Sequence, residues 1–278
     1  MPTTAPGAAA VMPAPVRSPL PQSLVGGTVA VIGGSSGIGL AAGMLLHSLG
    51  ARVVLIARDP GRLAAAVDRV RAAGEPGATG PDPAAVLGVS ADGGAEVALN
   101  AAFDQAGALD HVLVTAGSLG GLGPATEVSR DQVRSAFDGR VWGALAAVRA
   151  AASRLPAGGS VTLASGGLVS RPVPGIASLV AAGSAVEGLV KALAVELAPR
   201  RLRVNAVRFG VFDTPLARGA MDAGADEAGD RKMAAAGALT PLGRYGTAEE
   251  AASAALFLMA NTYVTGEILN IDGGAHLV

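Results

Sequence analysis

Short apolar runs alternate with longer amphipathic or alanine-rich stretches along most of the chain, and the alternation lays out an architecture. Val29 to Ile32 is expected to be a buried strand and Ile38 to Leu49 a helix. Ala51 to Ala57 reads as a second buried strand. Asp59 then offers a cap, and Pro60 a first helical position, for a helix reaching about Ala73. Glu75 to Pro83 reads as a Gly/Pro loop. A third strand is expected over Ala85 to Val89, a helix over Ala95 to Gln105, and a fourth strand over Asp110 to Thr115. Ala116-Gly117 turns out of that strand. One long alanine-rich helix follows, roughly Arg130 to Leu155, then a fifth strand over Ser160 to Ala164. A second long helix covers about Ala177 to Ala198, and Arg203 to Val207 is the sixth strand. Thr214 to Leu239 is polar and rich in Gly, Ala and Asp, and is expected to be a mobile helical flap. Ala248 to Met259 closes the series as a helix and Glu267 to Ile271 as a strand.

Strands alternating with helices imply crossover units and a parallel sheet covered on both faces. The expected fold is a single-domain α/β structure, a doubly wound, Rossmann-type, seven-stranded parallel sheet with helices on both faces. It spans residues 25–278, with the flap at about 214–239, preceded by a disordered Pro/Ala-rich extension over 1–24. Ligands in such sheets bind beyond the carboxyl ends of the strands. Residues just after Ile32, Ala57, Thr115, Ala164 and Val207 should therefore line one crevice.

Gly33-Gly34-Ser35-Ser36-Gly37-Ile38-Gly39 sits between the first strand and the first helix. Glycines let the backbone approach a pyrophosphate closely, and the free amides of a helix start attract its charge. Ser35 and Ser36 add hydroxyl donors. A bare Gly-rich turn would look similar, but the strand before and the helix after favour a nucleotide cradle. At the end of the second strand an acid would hydrogen-bond a ribose 2′-hydroxyl. Ala57 stands there instead, followed by Arg58, which can pair with a 2′-phosphate. NADP(H) is favoured over NAD(H), the alternative being a solvated surface arginine.

Composition narrows the chemistry. Of 278 residues, 50% are apolar and 15% charged, with a net charge of -1, so neither a nucleic-acid footprint nor an acidic tail is supported. Aromatics are 3%, too few for base-stacking platforms. With no cysteine there is no disulfide, thiolate nucleophile or Cys-based metal site. His47, His111 and His276 have no paired ligand spacing, and no metal is expected. No apolar run approaches a membrane span. Pro13, Pro15, Pro19 and Pro21 interrupt Met1 to Ser23, which therefore reads as an extension and not as a signal peptide. A cytoplasmic location and no membrane partner are expected.

Further ordered matches run from Val25 to Gly274. They are Gly33-x-x-x-Gly37-Ile38-Gly39, Ala116-Gly117, Ser165, Glu196-Leu197-Ala198-Pro199, Val204-Asn205-Ala206-Val207, Gly210-x-x-x-Thr214, Thr265-Gly266 and Ile271-Asp272-Gly273-Gly274. Together they resemble the short-chain dehydrogenase/reductase family. The resemblance implies cofactor contacts from Gly33, Ser35, Ser36, Gly37, Ile38, Gly39, Arg58, Ala116, Gly117, Gly210, Val211 and Thr214, the last either at the nicotinamide amide or simply capping the helix before Pro215. It implies a dimer or tetramer through the two long helices and the last strand, and the alanine face of Ala144 to Ala152 would allow close helix approach.

The resemblance breaks at the proton-handling residues. The family's Tyr-x-x-x-Lys pair falls on Leu179 and Gly183, neither of which can donate a proton or hold a charge. The family's asparagine position holds Arg140, and Ser165 alone survives of the four. No Tyr or Lys lies between Ser165 and Val190; Lys191 is about 12 Å along the helix from position 183. The expected catalytic residues are Ser165, as a substrate hydrogen-bonder, and Arg140, which can stabilise a developing oxyanion or pair with a helix neighbour such as Asp138. Arg171 is a solvated loop residue or reaches the site mouth. Leu168, Val169, Leu179, Trp142, Phe209 and Phe212 suggest an apolar pocket or ordinary core, Trp142 being favoured for the core or a subunit interface. The expected function is an NADP(H)-dependent oxidoreductase acting on a carbonyl or polarised double bond of a small, largely apolar substrate. The alternatives are a non-redox descendant of cyclase, dehydratase or isomerase type, or a non-catalytic NADP(H)-binding protein.

Overall fold

Continuous apolar runs make the centre of the sheet. Thr28–Ile32 (β1) is buried throughout, and Arg52–Ala57 (β2) at every position but its first. Strands buried on both faces show no alternation, and that made these runs readable. Val86–Ser90 (β3), His111–Val114 (β4), Ser160–Gly166 (β5), Arg203–Phe209 (β6) and Ile268–Ile271 (β9) complete a parallel sheet in the order β3-β2-β1-β4-β5-β6-β9. Phe212–Asp213 (β7) and Gly246–Thr247 (β8) form a separate two-stranded pair. The structure, a computed structural model, describes residues 22–73, 85–117 and 120–278. The expected loop over Glu75 to Pro83 and most of the expected extension lie outside the described residues. Gln22–Leu24 forms a single helical turn, and Leu24 is fully buried, so the folded domain already includes it.

The helices divide between the two faces. Gly37–Ser48 (α1), Pro60–Arg71 (α2) and Ala248–Ala260 (α9) share one apolar core with Val29, Val53, Leu55 and Val207. Glu96–Ala106 (α3), Gly143–Ala152 (α5) and Ala177–Leu197 (α6) share the other with Ile32, Ile56, Val114 and Leu163. Asp59 caps α2 by accepting from the Arg62 amide at 2.9 Å, with Pro60 in the first turn, as expected.

Three expectations are corrected. The long alanine-rich helix is not continuous: Arg130–Phe137 (α4) passes through one π turn, Asp138–Trp142, before α5 begins. Such a turn inserts a residue into the helical ladder and re-aims the side chains on it. The alanine face of α5 is not free for assembly, because Ala146, Ala147 and Ala151 are fully buried within the chain. Small side chains let α5 sit close to the sheet and α3. Finally, Ala177–Arg200 is long and apolar enough to cross a membrane by length and composition. Its apolar residues Val186, Val190 and Leu193 instead pack into the second core.

Arg203 is buried at the start of β6, and its guanidinium donates to the carbonyls of Leu258 and Met259, both at 2.6 Å. It thereby satisfies the last carbonyls of α9, which have no intrahelical partner. Burial lowers its pKa below the ordinary arginine value.

Candidate active site

The crest of the sheet is built around the turn between β1 and α1. Gly33 and Gly34 amides donate to the Ile56 carbonyl, at 2.8 and 3.3 Å. A β-carbon on Gly33 would lie 2.6 Å from the Ala116 nitrogen, and one on Gly39 would lie 2.4 Å from the Gly33 carbonyl oxygen. Glycine is required at both, because the turn is pressed against β4 and against the start of α1. Thr115 ties the same corner by donating to the Ile32 carbonyl at 3.2 Å.

The start of α1 carries a serine that does not cap it, whereas α3 and α6 begin at Ala95 and Ile176, which have no side chain able to cap. Asp59, Ser129, Thr214, Asp226 and Thr247 each cap their helices through the side chain. Ser36 stands at the same position before α1 with no side-chain cap. The first amides of α1 therefore keep no side-chain partner, beside an exposed serine. A row of unsatisfied donors at a positive dipole end is an anion site. The residues present thus fit the pyrophosphate of a dinucleotide.

At the end of β2, Arg58 is exposed, and its main-chain carbonyl accepts from the Ser90 hydroxyl at 3.2 Å. That bond fixes the backbone from which the guanidinium projects. Ala116 and Gly117 are exposed beyond β4. Thr214 is buried and closes over the turn, 3.6 Å from where a β-carbon on Gly37 would be. Its hydroxyl also accepts from the Ala217 amide at 3.3 Å, capping Pro215–Ala220 (α7). Glu227–Gly237 (α8) completes a helical flap. A latch holds the flap together: Arg218 binds both Asp213 oxygens, at 2.6 and 2.7 Å, and Asp230 at 2.8 Å. Gly210 packs against Asp272 and Gly167 at the end of β6. Val211 is partly exposed and lines a cavity of about 280 Å³ with Leu242, Arg244 and Asp272.

Arg140 lies on the π turn. The place of a β-carbon on Gly117 is 4.0 Å from its Nη1. Its Nε is buried with no hydrogen-bond partner, and no ion pair to it exists among the described residues. Asp138 does not neutralise it, because Asp138 pairs with Arg134 at 3.6 Å. Burial alone lowers the pKa of this guanidinium below its ordinary value. The π turn is held down by Trp142, whose indole N–H donates to the Gly94 carbonyl at 3.1 Å.

Ser165 is buried on β5, and its hydroxyl donates to Glu187 Oε1 at 2.8 Å. Glu187 also accepts both arms of Arg208, at 2.8 and 2.6 Å. Burial works against the charged carboxyl of Glu187, but the hydrogen bonds from Arg208 and Ser165 outweigh it and hold its pKa low. Ser165 and Arg208 are register partners across β5 and β6. Sequence reasoning missed this pair. The available signals were a charged residue inside the apolar run of β6 and a glutamate one helical turn beyond Gly183.

The suggested apolar pocket does not assemble. Phe209 and Phe212 meet edge to face at 6.0 Å in the first core, and Leu179 packs with Ala136, Ile176 and Ala182. Trp142 and Leu168 are exposed, so the tryptophan is not core either. Arg171 reaches away to the Ala275 carbonyl at 2.9 Å.

Residues 32–276 match the family profile described as "Enoyl-(Acyl carrier protein) reductase". The chain belongs to the short-chain dehydrogenase/reductase family. It is 31% identical over 258 residues to "Carbonyl reductase family member 4" of Danio rerio, covering 89% of this chain and 97% of the relative. It is 37% identical over 261 residues to "Galactitol 2-dehydrogenase (L-tagatose-forming)" of Cereibacter sphaeroides, covering 90% and 95%. A solved short-chain dehydrogenase/reductase from Serratia marcescens BCRC 10948 superposes with a TM-score of 0.78 at 32% identity, covering 91% and 99%. These relatives are named oxidoreductases, and the family uses nicotinamide cofactors.

Proposed function

We propose that this short-chain dehydrogenase/reductase is an NADP(H)-dependent oxidoreductase that acts on a carbonyl or polarised double bond of a small molecule. The close-packed glycine turn leading into the uncapped start of α1 carries the reading, because a backbone that allows close approach beside free helix amides suits a pyrophosphate. Arg58 favours a 2′-phosphate, and no acid at Ala57 repels one. Thr214 stands beside Gly37 of the turn, and Arg218 ties the flap that follows it to Asp213. The nicotinamide, when bound, supplies or accepts the hydride.

The chain's own residues then have to manage charge and a proton. Arg140 stabilises negative charge on the substrate oxygen, and as an arginine it does not give up a proton. The Ser165 proton is committed to Glu187. Leu179 and Gly183 carry none. Water therefore delivers the proton, and turnover is expected to be slow, since a positioned general acid contributes about 10²- to 10⁴-fold.

Calorimetric titration with NADPH and NADH tests the reading, followed by loss of nicotinamide absorbance against a panel of carbonyl compounds. Failure to bind either nucleotide overturns it. Tight NADPH binding without turnover would instead support a nucleotide-binding protein, a reading that rests on Leu179 and Gly183. The expected assembly is a homo-oligomer, dimer or tetramer, and mass photometry on the full chain tests it.

A further inference from the structure

We propose that Arg140 anchors a carboxylate carried by the substrate, so that this site takes small oxo acids in preference to neutral carbonyl compounds. The assignment rests on the oxidoreductase reading for the reaction, but not for the binding.

A guanidinium taken out of water without a counter-charge is unfavourable, and folded chains rarely keep one. Arg140 comes close to this: the residue is half-buried, its Nε is buried and unpartnered, and no ion pair to it exists among the described residues. Asp138, two residues before it, pairs with Arg134 instead. The π turn fixes the backbone that carries Arg140, and Trp142 pins that turn to Gly94. Arg140 is thus presented to the crevice by built structure and not left over on a flexible surface.

Among the described residues, what it faces is open. Gly117 has no side chain, is exposed beyond the central strand, and lies next to Nη1. Gly143, one helical turn along, would meet only the carbonyls of Asp138 and Gly93, at 3.9 and 4.0 Å, if it carried a β-carbon. A planar fork of donors beside open space at the carboxyl end of β4 is suited to a bidentate carboxylate. A neutral ketone would leave the charge uncompensated, whereas an oxo acid supplies both a counter-ion for Arg140 and a reducible carbonyl beside it.

The test uses the full chain saturated with NADP+, titrated calorimetrically with pyruvate, with phenylglyoxylate and with the methyl ester of each. The wild type is expected to bind the acids at least about ten times more tightly than the esters, with affinity falling as NaCl is raised. Arg140→Lys should keep part of that preference and Arg140→Gln none. Because the ligand-free charge is uncompensated, Arg140→Gln should also raise the Tm of the ligand-free chain by a few degrees, whereas a structural ion-pair arginine would lower it. Equal binding of acid and ester, no binding of either acid, or a lowered Tm in Arg140→Gln would overturn the assignment. So would a tenfold loss of NADP+ affinity in Arg140→Gln with the acid preference intact, which would make Arg140 a cofactor residue. A chain that binds no nucleotide yet still prefers the acids would keep this assignment and lose the redox reading.

Discussion

A γ-methyl of Val169 stands 2.7 Å from where a β-carbon on Gly183 would lie. The space through which a lysine at this position would leave α6 is therefore filled from the loop after β5.

Gly183→Lys should accordingly destabilise the chain by about 1–3 kcal/mol through overpacking. Adding Val169→Ala should recover most of it. Chemical denaturation of the single and double variants measures both effects, and full recovery by an unrelated core substitution would argue against the clash.

Glu187 and Arg208 are a two-armed pair whose side chains are mostly buried. Arg208→Leu leaves a mostly buried carboxylate with Ser165 as its remaining side-chain donor, and should cost roughly 2–3 kcal/mol. Combining it with Glu187→Gln should cost less than the sum of the two, by about 1 kcal/mol or more. Ser165→Ala should cost only about 1 kcal/mol. Urea unfolding of the four proteins closes the cycle.

Arg58 projects from a backbone held by Ser90 and meets solvent. Arg58→Asp should reverse the preference from NADPH to NADH, weakening NADPH by about 1–3 kcal/mol. An unchanged affinity ratio in paired titrations would mean that this arginine is only a surface residue.

His111 is buried, and its Nδ1 is 2.8 Å from the Ser160 hydroxyl. Burial first, and then the nearby Arg203 charge, lower its pKa from 6.5 to about 4, against a smaller opposing effect of Asp110. Unfolded, it binds a proton near 6.5; folded, only near 4. Between those values the unfolded chain holds more protons, so stability rises with pH through the window and falls as acid is added. The full effect is up to roughly 3 kcal/mol. Denaturation midpoints between pH 7 and pH 4 should fall less steeply in His111→Asn.

Arg218 joins Asp213 at the base of the flap to Asp230 on α8. Arg218→Ala should release the flap, speeding NADPH dissociation several-fold in stopped-flow while association changes little. An unchanged off-rate would remove the latch from the binding process.

Much of the fold was legible because it rests on local signals. The buried runs of β1 and β2, the Asp59-Pro60 helix start and the glycines at positions 33 and 39 each declare themselves within a few residues. What escaped reading depends on distance or on register. A π turn inside an alanine-rich helix leaves no periodicity to read, so the aim of Arg140 was hidden. The partner of Ser165 lies 22 residues away on another element, and a glutamate on a helix reads as solvent-facing until the strands are aligned. Alanines on α5 gave a correct small-residue face but not the side to which it turns.

The sheet also separates two groups of the expected site residues. The turn that cradles phosphate leads into α1, whose apolar residues join one core. Positions 179 and 183 sit on α6, which serves the opposite layer. Because each layer packs largely against its own neighbours, substitutions in the α6 layer are expected to leave the glycine turn undisturbed. A screen for activity in such chains is therefore best aimed at one layer at a time, changing α6 and the π turn together and leaving the glycine turn untouched.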